Sequence, residues 1–350
     1  MEVFRQLGLC HYLPIEPVVA KSRLPIEGFR SLDFAPAEAL DFLSRGGKFL
    51  RPLLTLAAFD AVTSNKGVGR ELRDVARAAA LAIEVFHKAS LVHDDIEDDD
   101  SLRYGVAAVH ESIGVPAAIN VGDFLVGLGY AIVASLPAFM AKRSSRDDPS
   151  LASDLLAVLA DCHLKLARGQ GAELWWRQCP GEVPTPSDVL DVYGLKTSPA
   201  FEAALSMGVR IAGLRPREAG PIEEFARHVG TGFQILNDLK DWNGDTENKR
   251  LPAGDVLCGR PNVLLSLAVR NLSPADSNLL REAISHGGSA INTIARLLKT
   301  GRVFEEASLL LAAERRKACV AAAQCSLPRL ELVMTSLLHL AIPVEHPVGR

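Results

Sequence analysis

The chain runs to 350 residues, 48% of them hydrophobic but only 6% aromatic, with a formal net charge of −4. A weakly acidic balance with scattered arginines leaves no basic footprint, so nucleic acid is excluded as a partner. Alternating runs of Val, Ile, Thr and Tyr are scarce while alanine and leucine dominate, which points to an all-α fold.

Residues 1–35 read as irregular, because Pro14, Pro17, Pro25 and Gly28 break any long helix. Helical patterns follow at 37–44 and, behind the Gly46-Gly47 break, at 52–62. After Gly67 and Gly69 a long helix is predicted over 71–98, then others at 115–140, 151–178, 187–212 and 221–242. Ser187 is expected to N-cap the helix at 187–212, with Leu190 and Tyr193 on its apolar stripe, and Lys196-Thr197 interrupts it. The last third is predicted helical at 263–271, 277–285, 290–299 and 303–323, and from Pro328 to about Leu340. Loops at 143–149, 179–186 and 243–255 are polar or rich in proline and glycine, but none separates regions of different composition. Residues 36–345 therefore read as a single helical domain.

The stretch 124–141 is uncharged for 18 residues, the lower limit for a membrane span. It carries Gly127, Gly129, Ser135 and Pro137 and abuts Asp123, so it is expected to be a central helix of the bundle and no integral membrane span. The six cysteines show neither a CxxC pair nor a zinc spacing and are expected to be reduced. No basic segment followed by an apolar core opens the sequence, so a cytoplasmic location is expected.

Two acidic segments carry the chemistry: Asp94-Asp95-Ile96-Glu97-Asp98 and Asn237-Asp238-Leu239-Lys240-Asp241. Each closes an apolar helix. Residues three or four apart on a helix share a face, which pairs Asp94 with Asp98 and Asp238 with Asp241. A solvated acidic surface is the plainer reading, since Asp99 and Asp100 extend the first run. The apolar stretch 81–93 and the recurrence of a carboxylate pair behind 225–236 argue against it. Carboxylate faces at the mouth of an apolar bundle suit Mg²⁺, which takes few protein carboxylates and completes its shell with water and substrate phosphate. The implied substrate is a diphosphate ionised by metal, and the aspartates are expected to serve that metal and not the core. Gly46-Gly47-Lys48-Phe49-Leu50-Arg51-Pro52 adds two cations behind a flexible glycine pair, a pattern able to clamp a phosphate and, taken alone, more often a solvated helix start. His87 lies two turns before Asp94 on the same helix face.

In this order the motifs GGKFLRP, HKASLVHDDIED with LRYG, KT at 196–197 and GFQILNDLKDWNGD resemble the trans-isoprenyl diphosphate synthase (polyprenyl synthetase) family over about 46–260. The resemblance implies an all-α, single-domain helical bundle of the isoprenoid synthase type with a central apolar cavity, working as a homodimer. It implies that Asp94, Asp95, Asp98, Asp238 and Asp241 hold three Mg²⁺ ions. Arg103, Lys196, Thr197 and Gln234 match positions that hold the allylic diphosphate. Lys48, Arg51 and His87 match the site for isopentenyl diphosphate.

The sequence departs from the family pattern at Asn237, where an aspartate is usual, at Tyr104, where a second arginine is usual, at Ala107, and at Arg250 and Arg260-Pro261-Asn262. Losing a charge-assisted bond at Tyr104 costs on the order of 1.5–3 kcal/mol, so the second diphosphate is expected to bind weakly. Three functions stay open at this point. The first is elongation of an allylic diphosphate by isopentenyl diphosphate to the farnesyl or geranylgeranyl range. The second is class I terpene cyclisation on the same fold, which Tyr104, Ala107 and Asn237 favour and Lys48, Arg51 and His87 oppose. The third is a non-catalytic subunit of a prenyltransferase heteromer, opposed by the retained aspartates. Phe86, eight positions before Asp94, is expected to limit product length, because Ala89 and Ser90 nearer the aspartates are small.

Overall fold

Stretches rich in alanine and leucine with polar residues at each turn fold here as helices. The only strands among the described residues are the dipeptides Leu102–Arg103 (β1) and Val106–Ala107 (β2). The computed structural model describes residues 9, 30–64, 70–141, 148–179, 183–243, 253–257 and 259–343. Most of the expected irregular segment 1–35, and Arg250, lie outside them; at its end a turn over Ser31–Asp33 leads into the first helix.

In chain order the helices are α1 Phe34–Ser44, α2 Leu50–Thr63, α3 Arg70–Glu97, α4 Val109–Ile113, α5 Val115–Ala141, α6 Leu151–Gln178, α7 Pro186–Lys196 and α8 Ser198–Ile211. They continue as α9 Pro216–Ala219, α10 Ile222–Asn243, α11 Gly254–Leu257, α12 Val263–Asn271, α13 Pro274–Ser285, α14 Ile291–Thr300, α15 Val303–Ala323 and α16 Pro328–Ala341. These follow the predicted helices closely. The chain divides into two compact units, Met1–Ala160 with Ala203–Glu218, and Asp161–Glu202 with Ala219–Arg350.

In the first unit α3 and α5 lie along one another, and small residues set how near they come. A Cβ at Gly122 or Gly129 of α5 would run into the ring of His93 or of Phe86 on α3. Val121, Leu125, Ile132, Val133 and Leu136 form the buried stripe of α5 and are essentially inaccessible. Burying each such side chain stabilises the unit by about 1.5–3 kcal/mol. By length and composition α5 could cross a membrane, but this packed stripe is that of a core helix. The unit's last segment is tied in by Arg210, which donates to Asp148 (2.8 and 3.0 Å) and Asp154 (2.6 Å).

In the second unit α10 packs along α7 and α15 with Phe225, Ala226 and Val229 buried. His228 Nδ1 meets Glu314 Oε2 of α15 at 2.6 Å in that interface. The helix predicted over 187–212 is two helices broken at Thr197 (φ −124°, ψ −40°). Its N-cap is Thr185 and not Ser187. Thr185 accepts from the Asp188 amide (3.3 Å), while Asp188 accepts from the Thr185 amide (3.1 Å), and Pro186 fills the first helical position. This reciprocal cap satisfies two orphan amides, which Ser187 one turn-position later cannot do.

Candidate active site

In the first unit α3 carries the first acidic motif. The helix ends at Glu97, and the Asp98 amide still donates to the Asp94 carbonyl (2.8 Å), so Asp94 and Asp98 keep helical register. Asp94 and Asp98 are half-buried, whereas Asp95 is fully buried. Asp95 Oδ1 accepts from Arg103 through Nε (2.8 Å) and through a short contact with Nη2. Its Oδ2 is buried with no hydrogen-bond partner. Burial pushes the Asp95 carboxyl up and Arg103 pulls it back part of the way.

Arg103 reaches Asp95 because the chain turns sharply after α3. β1 and β2 pair antiparallel, Leu102 with Ala107 and Arg103 with Val106, leaving a two-residue loop of Tyr104 (φ 54°) and Gly105 (φ 77°). Two positive φ values define the type I′ turn that matches strand twist. Glycine enters that region freely. Tyr104 does not, and a strained conformation there requires support from its surroundings.

Lys48, Arg51 and His87 also belong to this unit. Lys48 is exposed. Phe49 (φ 48°) opens α2, whose first turn holds Arg51 with Nη1 2.9 Å from His87 Nε2. Burial holds the His87 imidazole well below its ordinary value, and the neighbouring Arg51, Lys88 and Arg103 add to this. His87 is therefore neutral, with Nε2 accepting from the guanidinium.

In the second unit α10 carries Gln234, Asn237, Asp238 and Asp241. Gln234 donates to the Thr197 hydroxyl (2.6 Å) at the break after α7. Lys196, the last residue of α7, donates to Glu173 of α6 (2.6 Å), which also accepts from Arg177 (2.7 Å). Asp238 is buried; its Oδ2 accepts from the Tyr193 hydroxyl in a short bond and from the Val263 amide at the start of α12 (3.0 Å). Burial pushes the Asp238 carboxyl up to about 8, against the pull of Tyr193 and Val263. Asp241 accepts from the Asp255 amide (3.1 Å), anchoring α11.

The structure thus corrects one expectation. Asp95 and Asp238 are part of the packed interior as well as candidate metal ligands, because each satisfies buried donors. Two residues that the sequence does not mark as part of the site take part in these contacts: Glu173 and Tyr193. Glu173 and Tyr193 each sit one helix away from the motif they support, so no local spacing marks them.

The donor set fits a hard divalent cation. Asp94, Asp95 and Asp98 offer only carboxylate oxygens, and Asp95 Oδ2 is a buried acceptor left open. Asp99, His110 and Glu111 also come within 4.8 Å of one another. There the buried His110 has its Nε2 3.4 Å from the exposed Glu111.

A helical scaffold presenting carboxylates, with cations that can hold phosphate oxygens, defines an enzyme of diphosphate chemistry. The polyprenyl synthetase family model matches residues 37–300, and the chain belongs to that family. It is 31% identical to a short chain isoprenyl diphosphate synthase of Methanothermobacter thermautotrophicus over 246 residues, 70% of each chain. It is 30% identical to the octaprenyl diphosphate synthase of Escherichia coli, over 70% of this chain and 69% of that one. A polyprenyl synthase from Caulobacter crescentus, solved with calcium and isoprenyl diphosphate, superposes with a TM-score of 0.70 at 24% identity, over 97% of this chain and 93% of that one. The protein is a prenyltransferase of the trans-prenyl diphosphate synthase family with an all-α fold.

Proposed function

We propose that this protein condenses an allylic prenyl diphosphate with isopentenyl diphosphate in a Mg²⁺-dependent reaction, giving a trans-prenyl diphosphate of farnesyl to geranylgeranyl length. The catalytic domain of this proposal spans 36–345, acting in the cytoplasm as a homodimer that uses three ions. The observation that carries it is the Arg51–His87 contact at 2.9 Å, near the entry to α2 and Lys48. A neutral imidazole that accepts from a guanidinium orients it for bidentate grip on phosphate. Cyclisation of a single allylic substrate has no use for such a second clamp.

In the proposed reaction Asp94, Asp95, Asp98, Asp238 and Asp241 hold the metal. When bound, Mg²⁺ neutralises charge developing on the leaving diphosphate. Arg103 and Lys196 would add positive charge for the diphosphate, and Thr197 and Gln234 would orient it by hydrogen bonds. The allylic C–O bond breaks with its electron pair leaving on diphosphate. The double bond of isopentenyl diphosphate, held by Lys48, Arg51 and His87, supplies the electrons of the new C–C bond. The proton then lost goes to the departing diphosphate.

The relatives span short-chain and octaprenyl synthases, so product length has to come from this chain's own residues. Phe86 supports a short product. Its ring lies edge-on to Tyr130 of α5, centroids 4.8 Å apart and planes at 83°, in the notch left by Gly129. Two locked aromatics make a floor that a growing chain does not displace. Incubation with Mg²⁺, labelled isopentenyl diphosphate and each allylic primer tests the proposal. Label is expected in a prenyl diphosphate, and hydrocarbon from primer alone would mean cyclisation.

A further inference from the structure

Beneath the Gly46-Gly47 turn lies a cation that the roles above leave unused. Lys88 is fully buried, and its Nζ donates to the backbone carbonyls of Arg45 (3.0 Å) and Gly46 (2.6 Å). A buried ammonium is costly unless its charge and its protons are met. The rest of its surroundings meet them: Nζ stands 4.2 Å from the centroid of the Tyr104 ring and 5.2 Å from that of Phe42. Glu84, one turn earlier on α3, is buried too and supplies the opposite charge. Burial lowers the Lys88 ammonium, and Glu84 offsets only part of that.

Two successive carbonyls drawn onto one ammonium fix the path of the backbone from Arg45 into Gly47. Gly47 has φ 151°, and the Tyr104 hydroxyl comes within 3.5 Å of where its Cβ would stand. The turn is therefore held from below by Lys88, whose ammonium the Tyr104 ring faces. Immediately beyond it stand Lys48 and, in the first turn of α2, Arg51. We infer that Lys88, faced by the Tyr104 ring, is a positioning residue that shapes the 45–48 turn and so holds Lys48 and Arg51 in place for the second diphosphate. This rests on the elongation reading above. It gives Tyr104 a role of its own: an aromatic face attracts the Lys88 ammonium, where an arginine would set a second cation against it.

The test compares wild type, Lys88→Met, Tyr104→Leu and Tyr104→Phe. The dissociation constant for isopentenyl diphosphate comes from calorimetry without primer, and KM for both substrates and kcat from label incorporation. Lys88→Met is expected to weaken isopentenyl diphosphate by about tenfold, the size of losing hydrogen bonds to a charged group, with far smaller changes in kcat and the allylic KM. Tyr104→Leu is expected to weaken the same substrate, and Tyr104→Phe, which keeps the ring, to retain more affinity than Tyr104→Leu. Unchanged affinity in Lys88→Met, or equal loss for both substrates, overturns the inference. If Lys88→Met does not fold, the ordering of the two Tyr104 variants decides, equal affinities being the contrary result. A wild type that binds isopentenyl diphosphate without incorporating it defeats the elongation reading alone, because the calorimetric comparison still judges Lys88. No binding by wild type defeats both.

Discussion

Asp95 and Asp238 occupy matching places in two acidic motifs, yet their surroundings meet the buried carboxyl group by different means. Asp95 has a fixed cation, Arg103, on one oxygen and an open second oxygen. Asp238 has a phenol and a backbone amide on one oxygen, and burial pushes it up to about 8. The first motif has a countercharge supplied by the protein itself. The second depends more on an incoming cation, since a bound divalent ion favours the ionised carboxylate beside it. The lesson is that a motif's letters fix the ligand type, while the neighbours on other helices fix its charge state.

The largest expected effect is on turnover. Asp95→Ala and Asp238→Ala should each lower kcat by about 10²–10³-fold, the loss that follows removal of one preorganised charge-stabilising group. EDTA should abolish turnover of wild type, and added Mg²⁺ should restore it. Label incorporation measures both, and full activity in either variant would remove that aspartate from the metal set.

Stability should separate the two aspartates next. Asp95→Ala leaves the Arg103 guanidinium without its buried partner, and breaking such a pair costs roughly 3–5 kcal/mol when burial is complete. Arg103 keeps 23% of its side chain exposed, which brings the expectation to the lower end. Asp238→Ala leaves the Tyr193 hydroxyl without its acceptor, at about 1–3 kcal/mol, while the Val263 amide still donates to the Tyr193 oxygen (3.1 Å). Denaturant unfolding should show both variants less stable than wild type. A variant as stable as wild type would mean that the aspartate serves metal alone.

Product length comes third. Phe86→Ala should shift products to longer chains, read by chromatography of the dephosphorylated alcohols. Ala89 is fully buried, so Ala89→Phe would overpack the helix interface, and Ser90→Phe is the cleaner way to shorten the product. Unchanged product distributions in Phe86→Ala and Ser90→Phe would place the floor on another helix.

The smallest effect is on acid stability in the second unit. Burial raises the Glu314 carboxyl, but His228 and Lys317 outweigh it and hold it below its ordinary value. A folded value below the unfolded one means stability that is present above the unfolded pKa and is lost as pH falls through the folded one. Glu314→Gln should therefore lower Tm at neutral pH, with the gap to wild type closing in acid. A gap that is constant with pH would assign the loss to packing.

Much of the fold was legible because helical periodicity and turn residues mark elements locally: the helices expected at 52–62, 151–178 and 303–323 appear within a few residues as α2, α6 and α15. The cap at Thr185 was missed because Ser187 satisfies the same propensity, and only the reciprocal bonds with Asp188 distinguish them. The candidate ligands were legible from their spacing, and within each unit several expected neighbours do meet, as Arg103 meets Asp95 and Gln234 meets Thr197. Tyr193, Glu173 and Lys88 were not legible as parts of the candidate site. Each acts through a contact between segments distant in sequence, such as the 42 residues separating Lys88 from Gly46.

The central claim is that this chain joins two diphosphate substrates. Mass spectrometry of the product from an allylic primer, Mg²⁺ and deuterated isopentenyl diphosphate tests it most directly. The account predicts prenyl diphosphates that are longer than the primer by whole isoprene units and carry deuterium in each added unit. Primer consumed to unlabelled hydrocarbon, or primer recovered intact, would contradict it.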